Sequence, residues 1–299
     1  MTGDATARAT TLLVNTHSRR GRGLLGTCVR ALEARGLRVR VAAASCHEEA
    51  AAVLRSEVAA RAPLVIVGGG DGTLSHAAGV LAGTGTALGV LPLGSGNTFA
   101  RSVGVPRSVG GAARVIAGGR VQRVDVGRVN GSAFLNSVAL GFSAEIARTL
   151  NSRVKRRLGL LAWPYVGLRV LRTHQPIDVR VTLDTDVFDV HTHQLLVANG
   201  RYVAGPLKVT RDASVVDDRL DVLALGDGRL WSLARVGFGW AAGARAWHAS
   251  TSSVLIESHR GDTWISVDGE VSRASRLLIS VDANALAVLV PAGFNGGRV

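Results

Sequence analysis

Cysteine is nearly absent. Cys28 and Cys46, two residues in 299, give no disulfide framework and read as small buried side chains of a reducing compartment. No uncharged apolar run reaches about 18 residues, so no transmembrane helix is expected. The longest candidate, LGLLAWPYVGL (Leu158 to Leu168), is short and contains Pro164. The opening MTGDATARATTLLVN carries Asp4 and Arg8 and lacks the apolar core of a signal peptide. Aromatic residues make up 4%, too few for stacking on single-stranded bases, and no zinc-finger or helix-turn-helix spacing occurs. Nucleic acid is therefore not expected as a partner. Lysine is also scarce: Lys155 and Lys208 are the only two, so the positive charge is nearly all arginine.

What is present is charge of one sign and a large apolar fraction. The 35 basic and 22 acidic residues give +13, which favours an anionic partner such as a nucleotide or an acidic membrane surface. A hydrophobic content of 47% over this length predicts a globular protein, with room for two domains.

The first third alternates strand and helix patterns. TLLVN, RVRVAAA, LVIV and ALGVL read as strands. Helices are expected over Leu24 to Arg35, after a capping box in SCHE (Ser45 to Glu48), and from about Leu74. This order predicts a parallel sheet with helices on both faces, a doubly wound α/β domain. After about Gly119 short strands dominate, among them AFLNSVALG, VFDVHTHQLLVAN, TWISV and RLLISV, with helical patterns near 143–172 and 229–243. Their alternation predicts a second, β-rich domain of antiparallel strands.

Two glycine-rich turns follow strands. In VIVGGGDGT (Val65 to Thr73) a buried strand ends in glycines that free backbone N–H groups for anionic oxygens, beside the start of a helix. Asp71 among such amides suits a Mg²⁺ ion that offsets phosphate charge. A tight turn with Asp71 as cap is the other reading. The stretch is not a Walker A, because neither lysine follows a glycine, and Thr73 stands at the last glycine of GxGxxG. PLGSGNTFA (Pro92 to Ala100) repeats the logic, with Asn97 as the expected helix N-cap.

With GGDGT (Gly69 to Thr73), PLGSGN (Pro92 to Asn97) and DGE (Asp268 to Glu270), the sequence resembles the bacterial diacylglycerol-kinase-like lipid kinases, related to sphingosine and ceramide kinases. The resemblance runs from NTHSRRG to ALAVLVP. It implies an ATP-binding α/β domain over 1–122, a β-sandwich lipid domain over 123–284, and a final segment, 285–299, that returns to the first. It also implies ATP and Mg²⁺ as cofactors, with nucleotide contacts at Asn15, Ser18, Ser45, Gly69, Gly70, Asp71, Gly72, Thr73, Ser95, Gly96 and Asn97. Glu270 matches the general base, Asp268 its partner, and Asp71 completes the catalytic set. SVVDDRLDV (Ser214 to Val222) resembles the family's metal loop, with Ser214, Asp217 and Arg219 as ligands, the last through its backbone oxygen. Thr16 and Arg19 stand where the family has proline and glycine, and Asp218 where glycine is usual.

The residues taken alone leave alternatives open. Asp268-Gly269 is also a common hairpin signal, which would make Glu270 part of an exposed turn. His191 and His193 lie two apart and are expected to share a strand face. Arg153, Lys155, Arg156 and Arg157 beside Leu160, Leu161, Trp163 and Tyr165 suit an anionic bilayer surface; a solvated helix packed on the second domain is the other reading. The expected activity is ATP-dependent phosphorylation of a lipid hydroxyl, such as that of diacylglycerol, by a cytoplasmic protein held at the inner face of the membrane. A homodimer is left open. The competing readings are an NAD kinase, for which no Asn-Glu pair follows GGDGT, and a catalytically silent lipid- or nucleotide-binding protein.

Overall fold

The computed structural model describes residues 9–15, 19–150, 162–208, 213–226 and 245–296. Strands β1 (Thr10–Asn15), β2 (Val39–Ala44), β3 (Leu64–Gly69) and β4 (Ala87–Pro92) alternate with helices α1 (Arg19–Glu33), α2 (His47–Ala59) and α3 (Asp71–Leu81). The strands are parallel, in the order β2-β1-β3-β4. Their apolar runs are buried almost without interruption, from Leu12 to Val14 and from Val65 to Val67, as strands covered on both faces require. Two short helices follow, α4 (Thr98–Ser102) and α5 (Val109–Gly118). Helix α1 packs with α5, and α2 with α3.

The rest of the chain is mainly antiparallel. It contains β5 (Arg120–Val129), β6 (Ser132–Phe134), β7 (Ser137–Gly141), α6 (Phe142–Thr149), α7 (Ala162–Leu171), β8 (Ile177–Leu183), β9 (Asp186–Thr192) and β10 (Gln194–Ala198). There follow β11 (Tyr202–Ala204), β12 (Leu207–Lys208), β13 (Leu220–Leu225), β14 (Arg245–Thr251), β15 (Ser253–Ser258), β16 (Thr263–Val267), β17 (Glu270–Ala274) and β18 (Arg276–Val290). One sheet has the order β14-β13-β10-β7-β16-β17. Its inner residues Val138, Leu140, Leu195 and Val222 meet Val179, Val181, Ile256 and Ile279 of β8, β15 and β18. This is a β-sandwich packed against the α/β domain. The fold class read from the sequence is therefore the one observed.

Strand β18 joins the two parts. It pairs antiparallel with β15 and β5, shifts register between Asp282 and Leu286, and ends beside β4 at Val288 opposite Leu88. RLLISV and ALAVLV thus form one strand, where the sequence suggested two separate segments.

Two expected strands are broken by tertiary demands. AFLNSVALG divides into β6 and β7 because the N–H groups of Leu135, Asn136 and Ser137 turn to the Asp268 carboxylate. VFDVHTHQLLVAN divides at His193, where the chain leaves one sheet for the other. His191 and His193 consequently do not share a face: His191 is exposed beside Asp178, and His193 is buried. The capping box is also displaced. Helix α2 starts at His47, and the Ser45 N–H and hydroxyl both donate to Glu49, at 2.7 and 2.8 Å, not to Glu48. The pattern at 229–243 and the basic residues Arg153, Lys155, Arg156 and Arg157 lie outside the described residues, as do Leu160, Leu161 and the side chain of Trp163.

Candidate active site

From β1 the chain passes to β2 on one side of the sheet and then to β3 on the other. Ligands of open α/β sheets bind at the carboxyl ends of the strands beside such a reversal. Asn15 ends β1 there, and its Nδ2 donates to Thr73 Oγ1 at 3.2 Å. The first strand is thereby tied to the turn that follows β3. Ser18 lies outside the described residues.

The two glycine turns touch each other. A Cβ added to Gly69 would lie 2.5 Å from Thr73 Cβ, and one added to Gly94 would lie 2.5 Å from Gly70 Cα. Leu93 N–H donates to Gly69 O at 2.9 Å. Glycine is therefore required at 69 by the turn's own packing and at 94 by the packing of one loop on the other, in addition to whatever approaches from outside.

The helix cap expected of Asn97 is supplied by Asp71. Asn97 is in the left-handed region, with φ 49°, and its side chain caps no helix. Its Oδ1 accepts from Gly94 N–H at 2.8 Å and its Nδ2 donates to Gly94 O at 2.9 Å. It is 2% exposed and locks the PLGSGN turn. The cap of α4 comes from the other loop: Asp71 Oδ1 accepts from Phe99 N–H at 3.0 Å. Asp71 Oδ2 faces Gly96, where an added Cβ would come within 2.9 Å of it. Ser95 is exposed at the tip of the same turn.

The third motif comes from the sandwich. Strands β16 and β17 are joined by Asp268 and Gly269 with φ of 48° and 92°, the positive values a two-residue hairpin turn needs. The hairpin reading is thus correct in form, but the turn is anchored. Asp268 Oδ2 accepts from Leu135 N–H at 2.7 Å and from the Ser75 hydroxyl at 2.5 Å; Oδ1 accepts from Asn136 and Ser137 N–H, each at 2.9 Å. Burial pushes this carboxyl up, against four hydrogen bonds that favour its ionised form. Ser75 belongs to α3, so Asp268 joins the two domains.

That anchor aims the next residues. Glu270 is exposed at the start of β17, and a Cβ added to Gly72 in the first turn of α3 would lie 3.5 Å from its Oε1. Glu270 opens into a cavity of about 370 Å³ between α3, the β5–β6 turn and the hairpin, together with Ser75, His76, His47 and Arg128. Arg128 Nε is paired with Asp282 at 2.6 Å.

The resemblance placed metal ligands at Ser214, Asp217 and Arg219. Ser214 Oγ donates to Gly296 O and accepts from Val216 N–H, and Asp217 Oδ1 accepts from Arg219 N–H at 3.2 Å. Among the described residues no three His, Cys, Asp or Glu side chains converge to hold a metal. The loop is acidic nonetheless. Burial, with Asp221 and Asp125 adding to it, pushes Asp217 up to about 6. Asp125, fully buried, accepts from Asp218 and Asn284 N–H at 2.9 and 2.8 Å. These hydrogen bonds tie the loop to β5 and β18.

Ser75, His47, His76 and Asp125 carry no motif and escaped the sequence reading. His47 and His76 looked like scattered histidines, yet their rings stack at 4.7 Å in the cleft.

Two family models match the chain: the diacylglycerol kinase catalytic domain over residues 9–129, and the YegS C-terminal NAD kinase beta sandwich-like domain over residues 136–290. A diacylglycerol kinase of Bacillus subtilis is 30% identical over 215 residues, 71% of each chain. A Pseudomonas aeruginosa protein carrying the name lipid kinase YegS-like is 31% identical over 252 residues, 82% of each chain. A crystal structure of a diacylglycerol kinase from Bacillus anthracis superimposes with a TM-score of 0.79 over 96% of this chain and 98% of that one, at 23% identity, and so shares its fold. With both domain models in sequence and relatives at this identity along most of its length, the chain belongs to the family of diacylglycerol kinases and YegS-like lipid kinases.

Proposed function

We propose that the protein transfers the γ-phosphoryl group of ATP to a hydroxyl of a membrane lipid such as diacylglycerol. The observation that carries this reading is the placement of Glu270 against the first turn of α3, where the sandwich meets the two glycine turns. The nucleotide's phosphates would lie over the turns 69–73 and 94–97, with the N-terminus of α3 facing them. Phosphoryl transfer asks mainly for positioning and charge neutralisation, with a carboxylate to orient the attacking hydroxyl and take its proton. Glu270 meets that need. Asp268 borders the same cleft but is engaged by four donors, which leaves it to position the hairpin rather than to act as base. Asp71 Oδ2, left by the cap on Phe99, is the oxygen available for Mg²⁺ arriving with the nucleotide. Such an ion would offset the phosphate charge. No step is assigned to a metal at Ser214, Asp217 and Arg219.

The acceptor would enter from a membrane surface. Among the described residues no helix is long and apolar enough to cross a bilayer. Tyr165 and Leu168 of α7 are 53% and 55% exposed, next to the basic stretch Arg153 to Arg157 in sequence. An amphipathic surface attachment fits these features. The test is incubation with γ-labelled ATP, Mg²⁺ and vesicles that contain diacylglycerol, phosphatidylglycerol, a sphingoid base or ceramide. Label should appear in one lipid. Label in none of them, with active ATP binding, would overturn the reading.

A further inference from the structure

The cleft contains a histidine pair with no part in the phosphoryl transfer itself. His76, in the second turn of α3, stacks on His47 at the start of α2, with ring centroids 4.7 Å apart and planes 17° from parallel. Both rings line the Glu270 cleft. Both also line a small hollow on the other side, with Asn15, Thr73, Ala44 and Cys46. The pair therefore borders both the Glu270 cleft and the Asn15–Thr73 end of the glycine turn.

His76 also has an unmet hydrogen-bonding atom. Its Nε2 is closed off from solvent and has no partner among the described residues. The His47 backbone acts on the ring in the direction that favours its protonated form. A buried imidazole nitrogen without a partner is costly, and a ligand that supplies one recovers that cost.

We propose that His76 is a phosphate-binding residue that takes up a proton as nucleotide binds, its ring held by His47 and its Nε2 donating a hydrogen bond to a phosphoryl oxygen. This rests on the nucleotide site proposed above. The step is a simple one: a proton from solvent adds to Nε2, the imidazole becomes imidazolium, and no other bond changes. The charges around the ring support it. Burial and the neighbouring His47 hold His76 below the ordinary imidazole range, while Glu270 on β17 and Glu48 on α2 act the other way. Asp268 is occupied by four donors and does not serve as a counter-ion, and Arg128, a cation paired with Asp282, offers none. The ring is therefore neutral at neutral pH in the empty site. The phosphates of ATP, over the turn 69–73, bring several negative charges near the ring, and these favour the cation.

Calorimetric titration of the full chain with a non-hydrolysable ATP analogue and Mg²⁺, in buffers of different ionisation enthalpy, measures the protons bound. Wild type near neutral pH should take up about 0.3 to 1 proton more per nucleotide than His76→Gln, which keeps a polar group near the Nε2 position but does not titrate. Nucleotide affinity of wild type should fall as pH rises from about 6 to 8, and that of His76→Gln should change less. His76→Phe keeps the ring against His47 and removes the donor; it should bind about tenfold more weakly. Equal proton uptake in wild type and His76→Gln would overturn the inference, as would wild-type affinity in His76→Phe. Should the phenylalanine variant unfold, the glutamine comparison decides. Nucleotide bound without the extra proton overturns only the role of His76; no binding by wild type overturns the nucleotide site and this inference with it.

Discussion

Asp268 and Glu270 lie on one turn, yet they occupy opposite environments. Asp268 is encircled by four donors, and Glu270 is exposed to the cleft. Side chains of the same chemistry are thereby divided into an anchor and an accessible group, as catalytic sites often divide paired carboxylates. Asp71 has a mixed position, with one oxygen capping α4 and the other facing Gly96. Asp71→Asn should keep most of the cap, because its amide oxygen still accepts from Phe99. It should nearly abolish turnover at saturating Mg²⁺ and ATP while the thermal transition moves little; wild-type turnover would remove Asp71 from the mechanism. Asp217 gives a pH prediction. It holds its proton up to about 6 when folded, against 3.8 ordinarily. Between these values the folded state binds the extra proton, so this group's contribution to stability falls as pH rises through the window. Asp217→Asn removes that slope. In metal-free buffer near pH 7 it should be more stable than wild type, by on the order of 1 kcal/mol after discounting for a half-exposed site, and equal below about pH 4. Urea denaturation across that range checks it, and parallel pH slopes would contradict it.

At the scale of elements, the β16–β17 hairpin is held by contacts distant in sequence. Ser75 precedes Asp268 by 193 residues. Ser75→Ala removes the hydroxyl that links α3 to the hairpin and should cost about 1 kcal/mol. Turnover should fall while nucleotide affinity stays near wild type, since the glycine turns are untouched. A proportionate loss of ATP affinity would show that Ser75 acts on the nucleotide site instead. The limits of sequence reading lie at this same scale. The parallel strands were legible because their apolar runs are local and continuous, and the Asp-Gly turn because its chemistry is local. The break of AFLNSVALG was not, because an aspartate more than 130 residues away takes the N–H groups of Leu135, Asn136 and Ser137. The passing of the α4 cap from Asn97 to Asp71 was hidden similarly: each side chain bonds according to how the two loops meet, which no spacing encodes. His47 and His76 had no motif to announce them and become a pair only when α2 and α3 pack.

The whole molecule carries +13, and the proposed acceptor lies in a membrane. If the stretch at 153–157 attaches the protein to anionic lipid, each basic residue near the surface contributes about 1 kcal/mol, screened by salt. Changing Arg153, Lys155, Arg156 and Arg157 together to glutamine should weaken vesicle sedimentation strongly at low salt and leave activity on a short-chain dispersed lipid near wild type. Equal sedimentation of the two proteins would show that the stretch is not the anchor.

The central claim is that chemistry occurs where the sandwich brings Glu270 to the glycine turns. Glu270→Gln tests it most directly. The amide has nearly the same shape and still accepts a hydrogen bond, but it does not usefully accept a proton. Single-turnover phosphoryl transfer to the lipid, measured beside ATP affinity on the same preparation, should fall by about 10²- to 10⁴-fold with affinity changed little. Wild-type transfer by Glu270→Gln would contradict the claim and leave Glu270 as the first residue of a hairpin strand; intact transfer with lost ATP affinity would make it a binding residue.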